Sequence, residues 1–317
     1  MINDKKVAII GCGFVGSSIA FSLMEGGKIN ELVLIDANQN KAEGEAMDIS
    51  HGIPYATPMD IHAGTYDELK DAALIIITAG AAQKPGETRL DLTKKNAAIL
   101  HSVLAEIKRI QPEGYLLIVS NPVDVLTAYA VHETGLPRNR VFGSGTVLDT
   151  ARFKYLISRH LSVDARNVHG VIIGEHGDSE LPVWSITNVA GIPISSFCEL
   201  RGFHDHQKGM DEIYRDVRDS AYQIIEKKGA TYYGVAMAVR HIVHCLLSDA
   251  KTMLPVSVLL EGEYGARGVA LSVPTIVGKN GAEQVLELPL SMEERDAFTK
   301  SALELRNVLK ELDVTFD

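Results

Sequence analysis

The chain has 317 residues, enough for about two domains. Apolar residues make up 46% and charged residues 23%, which excludes a disordered or fibrous protein. Acidic residues number 41 against 31 basic ones, a formal charge of −10, so the surface repels nucleic acid and anionic lipid, and an anionic ligand needs a local basic pocket.

Three scattered cysteines (Cys12, Cys198, Cys245) with no CxxC indicate neither a disulfide framework nor a zinc site, and a cytoplasmic location is expected. The longest uncharged stretch, 181–198, contains Pro182, Asn188, Gly191 and Pro193, so it would leave backbone groups unsatisfied in lipid, and no membrane span is expected. The apolar run beginning at Val7 leaves no room for a signal peptide. His204 with His206, and His241 with His244, could each share a face, but no carboxylate or cysteine completes a set of ligands, so no metal is expected.

In chain order, residues 7–10, 32–35, 74–78 and 116–120 are nearly continuous apolar runs, which suits parallel strands covered on both faces. Leu92, Asn96, Ile99, Val103, Ile107 and Ile110 recur at helical spacing between them. Strands alternating with helices predict an α/β, doubly wound, mostly parallel Rossmann-type sheet. The second half changes character. A helix at 146–161 leads to a strand at 168–173, a Pro- and Gly-punctuated region, and a long helix from about Gln207 that Gly229 interrupts. Strands at 256–260, 269–273 and 285–288 follow, then a helix opened by a Ser291–Glu294 capping box. The expected division is residues 1–144 as a dinucleotide-binding domain and 145–317 as an α+β substrate domain with antiparallel strands, the last helix folding back on the first domain.

The sharpest local motif is Gly11-Cys12-Gly13-Phe14-Val15-Gly16, directly after the first strand. Gly11 makes a tight turn, Gly13 admits a pyrophosphate to the backbone, and Gly16 lets the helix lie close to the sheet. Asp36, 20 residues after Gly16, can accept from both ribose hydroxyls and opposes a 2′-phosphate, which favours NAD over NADP. A flavin or a nucleoside methyl donor could use a similar turn, and a purely structural turn is the plain alternative.

Gly174-Glu175-His176-Gly177-Asp178 places an imidazole between glycines at a strand end, where it could exchange a proton near neutral pH. Asp149 and Arg152, at i,i+3, face the same way, either as tautomer-fixing acid and carboxylate grip or as a surface ion pair. Asn121 sits at a strand's carboxyl end, where open α/β sheets bind ligands. The polar stretch 80–89 after the 74–78 strand reads as a lid carrying Gln83 and Arg89.

Taken together, VAIIGCGFVG, AGAAQKPGETR, VSNPVD, GSGTVLDTAR, IIGEHGD and KGATYYG resemble the bacterial L-lactate dehydrogenases of the lactate/malate dehydrogenase superfamily, in order and spacing from about residue 6 to 312. The resemblance implies His176 as proton donor and acceptor, oriented by Asp149, with Arg152 anchoring the substrate carboxylate and Arg89 polarising the carbonyl. Asn121 then bonds near the carbonyl, and Thr231 limits side-chain size. Gln83 takes the specificity position, where malate enzymes carry an arginine. Phe14, Val15, Thr78, Asn96, Val119, Asn121, Val123 and Val235 line the NAD cleft. The resemblance further implies pyruvate and L-lactate as substrates and a homotetramer, or next a dimer. It also points to a fructose 1,6-bisphosphate site at Lys154 and His169, where lysine replaces the arginine of activated relatives and loses its bidentate fork. Competing readings are a malate or bulkier 2-hydroxyacid enzyme, opposed by neutral Gln83, and a non-catalytic nucleotide-binding protein, opposed by the intact set of His176, Asp149, Arg152 and Arg89.

Overall fold

The computed structural model describes residues 3–82 and 86–316. Its first half runs β1 (Asn3–Ile10), α1 (Phe14–Gly26), β2 (Glu31–Ile35), α2 (Gln39–Ser50), β3 (Asp60–Ala63), β4 (Ala72–Ile77), α3 (Arg89–Ile110), β5 (Tyr115–Ile118), α4 (Val123–Thr134) and β6 (Val141–Gly143). All six strands are parallel, in the order 3-2-1-4-5-6. The apolar runs in β1, β2, β4 and β5 are buried because helices cover both faces. The order reverses between β1 and β4, so their carboxyl ends open a crevice.

The second half runs α5 (Val147–Leu161), β7 (Val168–His169), β8 (Ile172–Gly174), β9 (Glu180–Pro182), β10 (Asn188–Val189), β11 (Ile192–Pro193), α6 (Ile194–Leu200), α7 (His206–Lys228) and α8 (Tyr233–Leu247). It closes with β12 (Thr252–Glu261), β13 (Arg267–Gly278), β14 (Gly281–Val285) and α9 (Met292–Lys310). The antiparallel β12–β13 pair joins the first sheet through Ser257 opposite Gly143, and β8 and β9 extend it, making 11 strands in one sheet. The doubly wound parallel half and the antiparallel half are thus both present, as expected.

Three expectations change. The single strand at 168–173 is two strands, β7 in a small three-stranded sheet and β8 in the large one. The break falls at Gly170, where a Cβ would come within 2.8 Å of the Phe153 ring and 2.9 Å of the Thr187 hydroxyl. The last strand lies at 281–285, not 285–288, because a two-residue turn after Gly278 sets its register against β13. β3 and β6 add two strands that the apolar pattern does not announce. One is a polar edge strand and the other has only three residues. The Ser291–Glu294 capping box forms as predicted, and α9 lays Phe298, Ala302, Leu305 and Leu309 into the core beside α4 and β13.

Candidate active site

The glycine turn sits at the crevice. Gly11 has φ +104°, and a Cβ there would lie 2.6 Å from the Ala79 backbone nitrogen. A Cβ on Gly16 would lie 1.9 Å from the Gly11 carbonyl oxygen, so only glycine lets α1 approach so closely. Thr78 holds the turn by donating its hydroxyl to the Gly11 carbonyl at 2.7 Å. At Gly13 the space is open: a Cβ there would meet nothing within 4 Å, and no side chain caps the amino terminus of α1. That combination of room and free N–H groups fits a dinucleotide pyrophosphate. Asp36 accepts from the backbone N–H of Cys12 at 2.6 Å and of Asn38 at 2.9 Å, which locks its carboxylate beside the turn.

The acid–base cluster is built from side chains on separate elements. Asp149, in the first turn of α5, is 1% exposed and holds two cations. One oxygen accepts from the Arg152 guanidinium at 2.7 Å and the other meets His176 Nδ1 at 2.5 Å. Burial pushes the His176 ring down, but the Asp149 carboxylate, with Asp124 and Glu180, more than offsets this and raises it to about 9. Burial works against the Asp149 carboxylate too, and His176 and Arg152 together still hold it below the ordinary 3.8. Binding of Nδ1 by Asp149 leaves Nε2 available to exchange a proton.

A cavity of about 160 Å³ joins the two parts. Val15 from the glycine turn and Val119, Asn121, Arg152, His176, Thr231 and Val235 all line it, so it collects predicted cofactor and substrate residues on one wall system. Phe14 lies outside it, exposed and stacked on Tyr232 with ring centroids 5.3 Å apart. Asn96 is buried with its amide committed to the Ala81 N–H and the Asn121 carbonyl, both at 2.8 Å, so it braces the cleft. Val123 is buried in the core.

Arg89 is the first residue of α3, whose start is fixed by the Thr88–Asp91 capping box. Its guanidinium is placed away from the cavity, 2.6 Å from Asp178 Oδ2 and donating to the Tyr222 hydroxyl at 2.6 Å, and Tyr222 in turn donates to Asp178. Gln83 lies outside the described residues. Lys154 lines a second cavity of about 300 Å³ with Gly170, Met237 and His241, and burial lowers its ammonium. His169 is on the exposed side of β7. Among the described residues, one group has metal-ligand proximity, Glu31, His62 and Glu68. It lies at the opposite end of the sheet, with His62 on Glu68 at 2.7 Å and Glu31 neutralised by Lys6 at 2.9 Å.

Two acids had no assigned role in the sequence. Asp124 accepts the His176 backbone N–H at 2.7 Å and the Ser272 hydroxyl at 3.2 Å, and burial pushes it up to about 6. Glu180 is buried beside the same histidine. The available signal was an acid set in an apolar run, such as Asp124 in VDVLTAYA.

Residues 5–143 match the lactate/malate dehydrogenase NAD binding domain, and residues 146–314 match the lactate/malate dehydrogenase alpha/beta C-terminal domain. The L-lactate dehydrogenase of Thermoanaerobacter sp. (strain X514) is 53% identical over 310 residues, covering 98% of this chain and 100% of that one. The L-lactate dehydrogenase of Geobacillus kaustophilus (strain HTA426) is 50% identical over 97% of each chain. Among solved structures, the minor L-lactate dehydrogenase from Enterococcus mundtii in its ligands-bound form is similar with a TM-score of 0.94 at 45% identity, over 97% of this chain and 98% of that one. A lactate dehydrogenase from a Medee basin deep-sea metagenome library has a TM-score of 0.95 at 43% identity, over 99% and 100%.

Proposed function

Since the chain belongs to the lactate/malate dehydrogenase family, we propose that it interconverts pyruvate and L-lactate with NAD, in a cytoplasmic setting. The observation that carries this reading is the single carboxylate of Asp149 bonded at once to Arg152 and His176 on the wall of a cavity that also presents Val15 of the glycine turn. A carboxylate anchor and a proton donor fixed by one acid suit a 2-oxo acid, whose carboxylate and carbonyl are adjacent.

Residues 1–144 then bind the cofactor and residues 145–317 the substrate. Gly11, Gly13 and Gly16 cradle the pyrophosphate, Asp36 receives the ribose diol, and Phe14, Val15, Thr78, Asn96, Val119, Asn121, Val123 and Val235 shape the cleft. NAD, when bound, supplies or accepts the hydride. Arg152 grips the pyruvate carboxylate through the guanidinium N–H groups that Asp149 leaves free. His176, protonated at neutral pH, gives its Nε2 proton to the carbonyl oxygen, and in reverse the neutral ring takes the proton from L-lactate. Arg89 leaves Asp178 and Tyr222 to polarise the carbonyl as the lid closes and water is excluded. Thr231 bounds the side-chain pocket.

Neutral Gln83 answers the methyl group of pyruvate, and a second carboxylate there would be left unpaired. Gln83→Arg is expected to move the ratio of kcat/KM for oxaloacetate over pyruvate by ~10³-fold. A shift below tenfold in steady-state NADH oxidation would remove Gln83 from the substrate pocket. The reading as a whole is tested by initial rates of NADH oxidation with pyruvate, oxaloacetate and longer 2-oxo acids.

Assembly is proposed as a homotetramer, with a dimer as the next form. Exposed Phe21, Met47, Tyr55 and Met237 are apolar surface of the sort that subunit contacts bury. Light scattering on the purified protein tests this. Fructose 1,6-bisphosphate is expected to act weakly through Lys154 and His169, changing the KM for pyruvate less than tenfold.

A further inference from the structure

Glu180 opens β9 and pairs in register with Gly174, so it flanks the strand end from which His176 projects. It is 4% exposed, and its Oε1 has no hydrogen-bond partner among the described residues. The Tyr214 hydroxyl donates to the backbone carbonyl of Glu180 at 2.7 Å, not to its carboxyl. An ionised carboxylate left dry and unpaired costs several kcal/mol, so such a group keeps its proton.

The cations that face Glu180 (His176, Arg152 and Arg218) favour its ionised form, but each is already engaged by another acid, and burial with the Asp149 carboxylate outweighs them. From α5, Asp149 faces Glu180 but is already shared by Arg152 and His176. From α4, Asp124 is held by the His176 N–H. Arg218 and Tyr214 face it from α7, with Arg218 engaged by Asp219 at 3.0 Å. From α9, Glu294 is spent on Ser185 and Ser291. Arg152 and protonated His176 therefore balance Asp149 and Asp124, and a further negative charge unbalances the site.

We propose that Glu180 serves this site as a buried neutral acid, and that its ionisation, beside the deprotonation of His176, ends the site's acceptance of a 2-oxo acid anion. The inference rests on the pyruvate reading above. Glu180 does not line the cavity that Arg152 and His176 share; it acts through the charge felt by those two groups. Burial first, then the Asp149 carboxylate, push it up to about 8, which puts the change within reach of a pH titration.

The test is the KM for pyruvate from about pH 6 to about pH 10, in the parent and in Glu180→Gln, a neutral isostere. If only the doubly protonated site binds, log KM in the parent climbs with a slope approaching two. In the variant the slope is one, and at pH 9 its KM is about tenfold below the parent's, because a carboxyl titrating near 8 would be about nine-tenths ionised there. Turnover at pH 7 stays within about twofold, since Glu180 is neutral there and glutamine imitates it. A parent slope of one overturns the proposal without recourse to any variant. So does a variant profile that is unchanged, or a variant KM at pH 9 above the parent's, which would mean that ionised Glu180 supports binding by holding the proton on His176 more than it opposes the anion. An active parent with such a profile sinks this proposal alone, whereas a parent that leaves NADH unoxidised by pyruvate at pH 7 sinks the pyruvate reading beneath it.

Discussion

The cofactor cleft and the acid–base cluster solve binding in opposite ways. Around Gly11, Gly13 and Gly16 the site consists of backbone: free N–H groups at the start of α1, and an absence of side chains where a ligand must approach. Around Asp149 it consists of charged side chains from two segments, a buried acid and two half-buried cations committed to it. The first is tuned by shape, so it fails when an atom is added. The second is tuned by charge, so it fails when a charge is removed.

The largest effect belongs to the second region. His176→Asn should lower kcat by about 10²–10⁴-fold, the contribution of a positioned acid–base group, while NADH affinity measured by fluorescence is preserved. A variant within threefold of the parent would place the proton transfer elsewhere. Asp149→Asn should destabilise the fold by about 1–3 kcal/mol in denaturant titration, because two partly buried cations lose their shared, buried partner. With the chief support of the imidazolium gone, the alkaline fall in pyruvate reduction should also move below the pH of about 9 expected for the parent. If His176 has the proposed role, reduction should be lost as pH rises through that value, while lactate oxidation, served by the neutral ring, should be gained over the same interval. Because Asp149 is held below 3.8 in the fold, the stability it brings is present above that value and disappears as acid protonates the folded carboxyl.

Smaller effects test the backbone-made cleft. Gly16→Ala drives a methyl group into the Gly11 carbonyl and should cost about 1–3 kcal/mol of stability as well as NADH affinity. Gly13→Ala meets nothing in the protein, so it should fold within about 0.5 kcal/mol of the parent yet bind NADH more weakly. Thermal unfolding with and without NADH separates the two, and an unaltered affinity in Gly13→Ala would move the pyrophosphate away from this turn. The smallest expected effect is cofactor choice: NADH should exceed NADPH by at least about tenfold in kcat/KM, ~1.4 kcal/mol, if Asp36 receives the ribose diol. Equal efficiency would remove Asp36 from that role.

The two regions also differ in how far the sequence alone reveals them. The glycine turn, the strand before it and Asp36 form one local pattern, and the register of β1 against β2 brings Asp36 to Cys12 without further information. Asp149, Arg152 and His176 are visible as separate segments, but spacing alone leaves Asp149–Arg152 open to a surface ion pair. Burial of Asp149 and the approach of His176 become visible only once the chain is seen to pass from β7 in the small sheet to β8 in the large one at Gly170. Asp124 and Glu180 give only an ambiguous signal, because an acid among apolar neighbours reads as a solvent-facing charge until its surroundings are known. The resting place of Arg89 on Asp178 and Tyr222 is equally hidden, since α7 enters that corner from more than a hundred residues away.

The pairing of β6 with β12 has a mechanical consequence. A hinge opening between the halves would have to tear Ser257 from Gly143 and the His176 N–H from the Asp124 carboxylate, and so interrupt a sheet of 11 strands. The glycine turn and the imidazole are thus mounted on one stiff frame, and the spacing between a nucleotide on one side and an organic acid on the other is set when the chain folds.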